Sequence, residues 1–162
     1  SAIVAAIVLI GDQLSKHWAE TWLRTNGEYK IWDGVLHLRY VENRGAAFGM
    51  MQGGKWFFLA ITGIACAAML YFLIKERKRL HFMMTFSLAL LLSGAIGNLI
   101  DRVALGYVRD MIYVALIDFA VFNVADMAVT VGCCLLVLDL LFFKGKKYME
   151  MMDKKPQTGE NS

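Results

Sequence analysis

The chain has 162 residues and a mass of 18.2 kDa, the size of one domain. It is 58% hydrophobic and 19% charged, with a mean hydropathy of +0.50, whereas ordinary soluble domains hold about 45–50% apolar and about 25% charged residues. This argues against disorder, collagen, a disulfide scaffold and an ordinary soluble enzyme, because so small a fold cannot hide that much apolar surface from water; a net charge of +3 is too mild to argue for nucleic acid.

In chain order, the first apolar run covers residues 2–10 before Asp12 interrupts it. A spanning helix needs about 20 mostly apolar residues. This run therefore spans only if the helix continues through residues 13–23 with Asp12 and Lys16 facing protein. It lacks the basic start and small-x-small site of a cleavable signal peptide. The chain starts at Ser1 without an initiator Met, so the first helix is expected to be shortened at its start. Next, Asp33-Gly34 between Ile31-Trp32 and Val35-Leu36 reads as a hairpin turn. Leu36, Leu38 and Tyr40 alternate with His37, Arg39 and Val41, the period of a strand. A small sheet at the membrane surface is the expected result. The segment 43–49, N-R-G-A-A-F-G, reads as a glycine-containing loop before the next span. Three further runs are long enough to cross a bilayer: 56–74, 81–100 and 121–143. The segment 103–120 between the last two reads as a link, and 149–162 as a polar, disordered tail.

Basic residues set the orientation. The link 75–79 has four bases and one acid, and the tail carries Lys144, Lys146, Lys147, Lys154 and Lys155. The other two loops are mixed in sign. Both termini and the 75–79 link are therefore expected in the cytoplasm, with 25–55 and 103–120 outside. Cys66, Cys133 and Cys134 all sit in apolar runs and show no disulfide or zinc spacing; they read as small buried hydrophobes. His17, His37 and His81 fall on two sides of the membrane and suggest no metal site.

Charge inside a membrane costs roughly 2.5–3.5 kcal/mol per group at mid-helix, so the polar residues of the spans need partners or roles. Asp12 and Lys16 lie four apart, acid first, and read as an intrahelical ion pair. Asn98, Asp101 and Arg102 share one face near the outer end of the third span. Either Asp101 and Arg102 satisfy each other or cap the helix end, or the group serves a site; Asn98 needs a partner on another helix. Asn123 and Asp126 repeat the three-residue step at the start of the last span; Asp126 either pairs through space with Lys16 or Arg102 or, unpaired, holds a proton. Asp139, deep in that span, is expected to reach toward water or Lys144. Asp110 lies in the outward link, with 15 residues between it and Asp126. The link leaves and re-enters one face of the membrane, which holds both acids near one depth. Two close carboxyls cannot both ionise easily and share a proton, the arrangement of aspartic proteases. The spacing alone leaves open that Asp110 is a surface aspartate.

Five segments, D-Q-L-S-K (12–16), N-R-G-A-A-F-G (43–49), G-A-I-G-N-L-I-D-R (94–102), V-R-D-M (108–111) and F-N-V-A-D (122–126), in this order and spacing resemble the sequence boxes of bacterial lipoprotein signal peptidase, or signal peptidase II, over residues 8–143. The resemblance implies an all-α membrane protein of four transmembrane helices with a small extracytoplasmic β-sheet, forming one peptidase domain over 1–148. It implies an aspartic endopeptidase of the bacterial cytoplasmic membrane that removes signal peptides from prolipoproteins just before the diacylglyceryl-modified cysteine. The catalytic dyad then falls on Asp110 and Asp126. Asn43, Asn98, Arg102 and Asn123 match positions that bind substrate or orient the dyad, and Asp12, Lys16, Asp101 and Gly45 match structural positions. The family needs no metal or other cofactor, works among membrane lipids and binds globomycin-type peptide inhibitors. Met111 stands where the family often has Phe, and Ala120 where Pro is frequent. From the residues alone, a proton-conducting subunit and a non-catalytic assembly factor remain as rivals; the acids gather at the outer side rather than through the whole thickness, which disfavours a relay.

Overall fold

The structure is a computed structural model that describes residues 2–45 and 55–142; residues 46–49 of the glycine-containing segment, Lys144 and the 149–162 tail lie outside the described residues. Helix α1 (Ala2–Trp18) runs on through a π-helical turn (Ala19–Leu23) and a last α-turn (Arg24–Asn26). Strands β1 (Tyr29–Trp32) and β2 (Leu36–Asn43) form the expected hairpin. Gly34 closes it at φ +72°, a backbone region that costs glycine nothing. Helices α2 (Lys55–Glu76), α3 (Phe82–Ala104) and α4 (Val124–Phe142) follow, with strand β3 (Val108–Val114) between the last two.

The described part is mostly helical with one small sheet. Among the described residues, three helices are long and apolar enough to cross a membrane, over Leu59–Glu76, Phe82–Ala104 and Val124–Phe142. Helix α1, with 17 residues and two charges inside it, does not meet that standard by itself, so composition supports three of the four expected spans. Helix α3 is central, packed on α4, α1 and α2. Small residues allow the close approach. A Cβ on Gly94 would meet the carbonyl of Ala125 and Cγ2 of Val129, and one on Gly132 would meet the Ser87 carbonyl at 2.9 Å. One apolar core, around Met84 and Leu88, lies between α2, α3 and α4. A second, Ala19, Leu23 and Met111, joins the end of α1 to the sheet. Met111 therefore plays a packing role.

The link 103–120 is not featureless. The amides of Leu105 and Gly106 cap the last carbonyls of α3, and Gly106 at φ +85° turns the chain into β3. The sheet order is β1-β2-β3, both pairs antiparallel. Val41 faces Asp110 and Asn43 faces Val108. Between Leu38 and Val41, β2 has one residue more than the facing stretch of β3. This bulge interrupts the alternation read from the sequence.

Polarity is arranged inside out. Lys16, Asp12, Asp101, Asp110, Asn123 and Asp139 are fully or nearly fully buried, whereas Ile3, Ile7, Ile10, Leu14, Trp18 and Trp22 form an exposed stripe along α1. Two sequence expectations fail for this reason. Cys133 and Cys134 are exposed on α4, and Cys66 is half-buried, because an apolar exterior accepts thiols as readily as a core does. Asp139 does not reach outward: it is buried and bonded to Nε2 of His81 at 2.8 Å, which ties the start of α3 to the end of α4.

Candidate active site

Helix α4 starts on a reciprocal cap. The amide of Asp126 donates to Oδ1 of Asn123 at 2.9 Å, and the amide of Asn123 donates to Oδ2 of Asp126 at 3.1 Å. This is the capping-box arrangement, with Asn and Asp in place of Ser and Glu. A helix terminus thus fixes the Asp126 carboxyl. The side chain of Asn123 bridges to the other acid, its Nδ2 donating to Oδ1 of Asp110 at 2.7 Å. Asn43, brought alongside by the β2–β3 pairing, donates to Oδ2 of Asp110 at 3.0 Å. Its own Oδ1 accepts the amide of Gly45 at 3.0 Å, which fixes the amide's orientation.

Asn98 completes the ring. Its Nδ2 donates to Oδ1 of Asp126 at 2.8 Å, and its Oδ1 accepts from Lys16 Nζ at 2.9 Å and from Asn123 at 3.1 Å. The partner on another helix that Asn98 requires is thus α4, and Lys16 reaches Asp126 only through this amide. Lys16 pairs with Asp12 at 2.9 Å, and Oδ2 of Asp101 lies 3.6 Å away. Asp12 also accepts the amide of Ala125 at 2.9 Å, so α1 caps α4 from outside the helix. Asp101 turns away from the reading in which Arg102 satisfies it. Arg109 holds it with its amide, Nε and Nη2, at 3.0, 3.2 and 2.8 Å.

Arg109 is a residue that sequence reasoning missed, together with Gln13 and Glu20. Its Nη1 donates to Glu20 at 2.9 Å and its Nη2 to Gln13 at 3.2 Å. Glu20 comes from the π-helical turn of α1. Arg109 and Gln13 both sit inside the quoted segments; the available signal was that buried Asp101 needs a fork of donors, which guanidinium supplies.

Asp110, Asp126, Asn43, Asn98 and Arg102 line one cavity of about 520 Å³, whose remaining lining is mostly apolar residues of α4 and the 119–122 segment, Ala120 among them. Arg102 lies within electrostatic reach of Asp126, Asp110 and Asp101. Asp110 is pushed up to about 7, chiefly by burial and also by the charge of Asp126; hydrogen bonds from Asn43 and Asn123 and the charge of Lys16 oppose the rise. A carboxyl that keeps its proton near neutrality, beside a second carboxyl, provides an acid and a base on one cavity. The other sequence-predicted residues join the same network: Asn123 bonds Asp110, Asp12 and Asp101 connect through Lys16 to Asn98, and Gly45 connects through its amide to Asn43.

The family model of signal peptidase (SPase) II matches residues 4–142. The chain is 47% identical over 138 residues to the lipoprotein signal peptidase of Streptococcus thermophilus, covering 85% of this chain and 90% of that one. It is 43% identical over 145 residues to that of Clostridioides difficile, covering 89% and 97%. Among solved structures, a bacterial membrane enzyme determined by the in meso method superposes with a TM-score of 0.79 at 33% identity, covering 98% of this chain and 93% of that one. A second such enzyme gives a TM-score of 0.77 at 35% identity, over 87% and 92%. With two carboxyls on one cavity and these similarities over nearly its whole length, the chain belongs to the signal peptidase II family of aspartic peptidases.

Proposed function

We propose that the protein removes signal peptides from prolipoproteins, cutting before the diacylglyceryl-modified cysteine, with Asp110 and Asp126 as the dyad. The observation that carries the assignment is the convergence of both carboxyls, joined by Asn123, on one largely apolar cavity. Asp110 holds the proton. It donates to the scissile carbonyl oxygen while Asp126 takes a proton from the attacking water. Collapse of the tetrahedral intermediate returns the hydroxyl proton to Asp110 and passes the other to the leaving amine. The products are a signal-peptide carboxyl and a free amine on the lipidated cysteine. Asn43, Asn98 and Asn123 hold the carboxyls, and Arg102 supplies positive charge at the cavity wall. The apolar walls suit acyl chains, a signal helix and cyclic peptide inhibitors of the globomycin type.

A four-span reading is favoured by α1 and its extension. Residues 2–26 are continuously helical, about 37 Å at roughly 1.5 Å per residue, against a hydrocarbon core of about 30 Å. The α1 stripe of exposed apolar side chains faces lipid, while Asp12 and Lys16 are turned to protein. With basic residues at 75–79, both termini lie in the cytoplasm and the dyad at the outer face of the cytoplasmic membrane. Residues 1–148 then form one domain and 149–162 a cytoplasmic tail.

The assignment is tested with purified protein and a diacylglyceryl-modified prolipoprotein. Asp110→Asn and Asp126→Asn each lose at least about a thousandfold in kcat, since neither acid nor base is dispensable. Near-normal turnover by either variant overturns the dyad.

A further inference from the structure

The cavity at the dyad has a neighbour. A second, of about 460 Å³, opens on the sheet side and shares Asn43, Asp110 and residues 119–121 with the first. Its remaining wall differs in kind: Arg39, Glu42, Arg44 and Asp118 line it, and the dyad chemistry uses none of them. The bulge in β2 falls at Arg39 and Tyr40, and bulges beside active sites re-aim side chains.

The charges of this wall are unevenly matched. Glu42 is shared by Arg44 at 3.1 Å and Arg24 at 3.7 Å. Asp118 accepts the Tyr113 hydroxyl at 2.6 Å and is held at φ +46°. Arg39 lies over the Tyr113 ring, 3.7 Å from its centroid. It has no ion pair among the described residues, and its buried Nε lacks a hydrogen-bond partner there. The wall thus offers, beside the reaction cavity, a half-buried guanidinium that no carboxylate pairs among the described residues.

A substrate with an apolar signal helix on one side of the scissile bond and a water-soluble polypeptide on the other matches this pair. The apolar cavity suits the signal side, the polar cavity suits the mature side, and Asn43 and Asp110 stand at the seam. We infer that the outer cavity holds the mature segment just after the lipidated cysteine, and that Arg39 makes it selective for an acidic side chain there. The inference rests on the peptidase reading above. A volume of about 460 Å³ lies within the range of ligand pockets, roughly 300–1,000 Å³, room for a short extended stretch. Asp118 works in the opposite sense and keeps the preference moderate.

The test compares kcat/KM for two diacylglyceryl-modified prolipoprotein peptides that differ only in having Glu or Lys at the second and third residues after the cysteine. Because the ratio is taken on one enzyme preparation, losses in folding or yield cancel. The wild type favours the Glu peptide about fivefold, the upper end for a half-exposed ion pair. Arg39→Lys keeps the sign of the preference, and Arg39→Glu reverses it. Asp118→Asn, which tolerates the left-handed backbone, raises the preference for Glu and serves as the second variant if Arg39→Glu does not fold. Equal cleavage of both peptides by the wild type, or a ratio unmoved by Arg39→Glu and by Asp118→Asn, overturns the inference and leaves the dyad standing. Failure of the wild type to cleave either peptide removes the peptidase reading and the inference together.

Discussion

Asp110 carries a built-in cost. Its carboxyl is raised from 3.8 to about 7, so the folded state binds a proton that the unfolded chain has released. Its contribution to stability is therefore present in full below pH 4 and is lost as pH rises through about 7. Thermal stability in detergent is expected to fall over that window, and Asp110→Asn is expected to flatten the slope while abolishing cleavage. A slope unchanged in the variant contradicts the assignment of the proton. Arg109 makes the opposite kind of contribution. It is buried with four acceptors, on Asp101, Glu20 and Gln13. Lys cannot form that fork, so Arg109→Lys is expected to destabilise by about 3–5 kcal/mol, the scale for breaking a buried pair, read by denaturation in detergent. At this scale the acids were legible because a carboxyl in an apolar run stands out. Arg109 was not, because one base in an outward link looks like an ordinary solvated residue until β3 places it over Asp101.

Between elements, helix α3 works through what its face leaves out. A Cβ at Gly97 would sit 2.6 Å from Oδ2 of Asp12, the group that holds both Lys16 and the start of α4. Gly97→Ala is expected to cost about 1–3 kcal/mol by overpacking and to lower kcat more than it raises KM, since it shifts the cap under Asp126. Parallel loss in KM alone would argue that the cap does not position the acid. The apolar runs 56–74, 81–100 and 121–143 were legible as the cores of α2, α3 and α4, and the Asp33-Gly34 turn as a hairpin. Strand β3 was not legible. Its sequence, Val-Arg-Asp-Met-Ile-Tyr-Val, does not alternate cleanly, and β2 pairing rather than local pattern makes it a strand. Its place beside β2 is what delivers Asp110 to Asn43. The His81–Asp139 pair was likewise invisible in sequence, because 58 residues separate its members.

For the whole molecule, the distribution of polarity implies the surroundings. Large apolar side chains cover the helices while Asp12, Lys16, Asp101 and Asp139 lie buried between them, the reverse of a protein in water. With the proposed orientation, a single cysteine placed at Trp32 in a cysteine-free background is labelled by an impermeant thiol reagent on intact cells. One placed at Lys78 is labelled only after permeabilisation. The reverse pattern overturns the topology and with it the placement of the dyad at the outer face.

Two carboxyls on one cavity hold a proton at neutral pH. Difference infrared spectroscopy of the lipid-embedded protein, titrated from about pH 5 to about pH 9, reads that proton directly. The expected result is a protonated-carboxyl band that disappears with a midpoint near 7 and is missing from Asp110→Asn. A wild-type protein with no such band above pH 5, or a band that survives in Asp110→Asn, contradicts it.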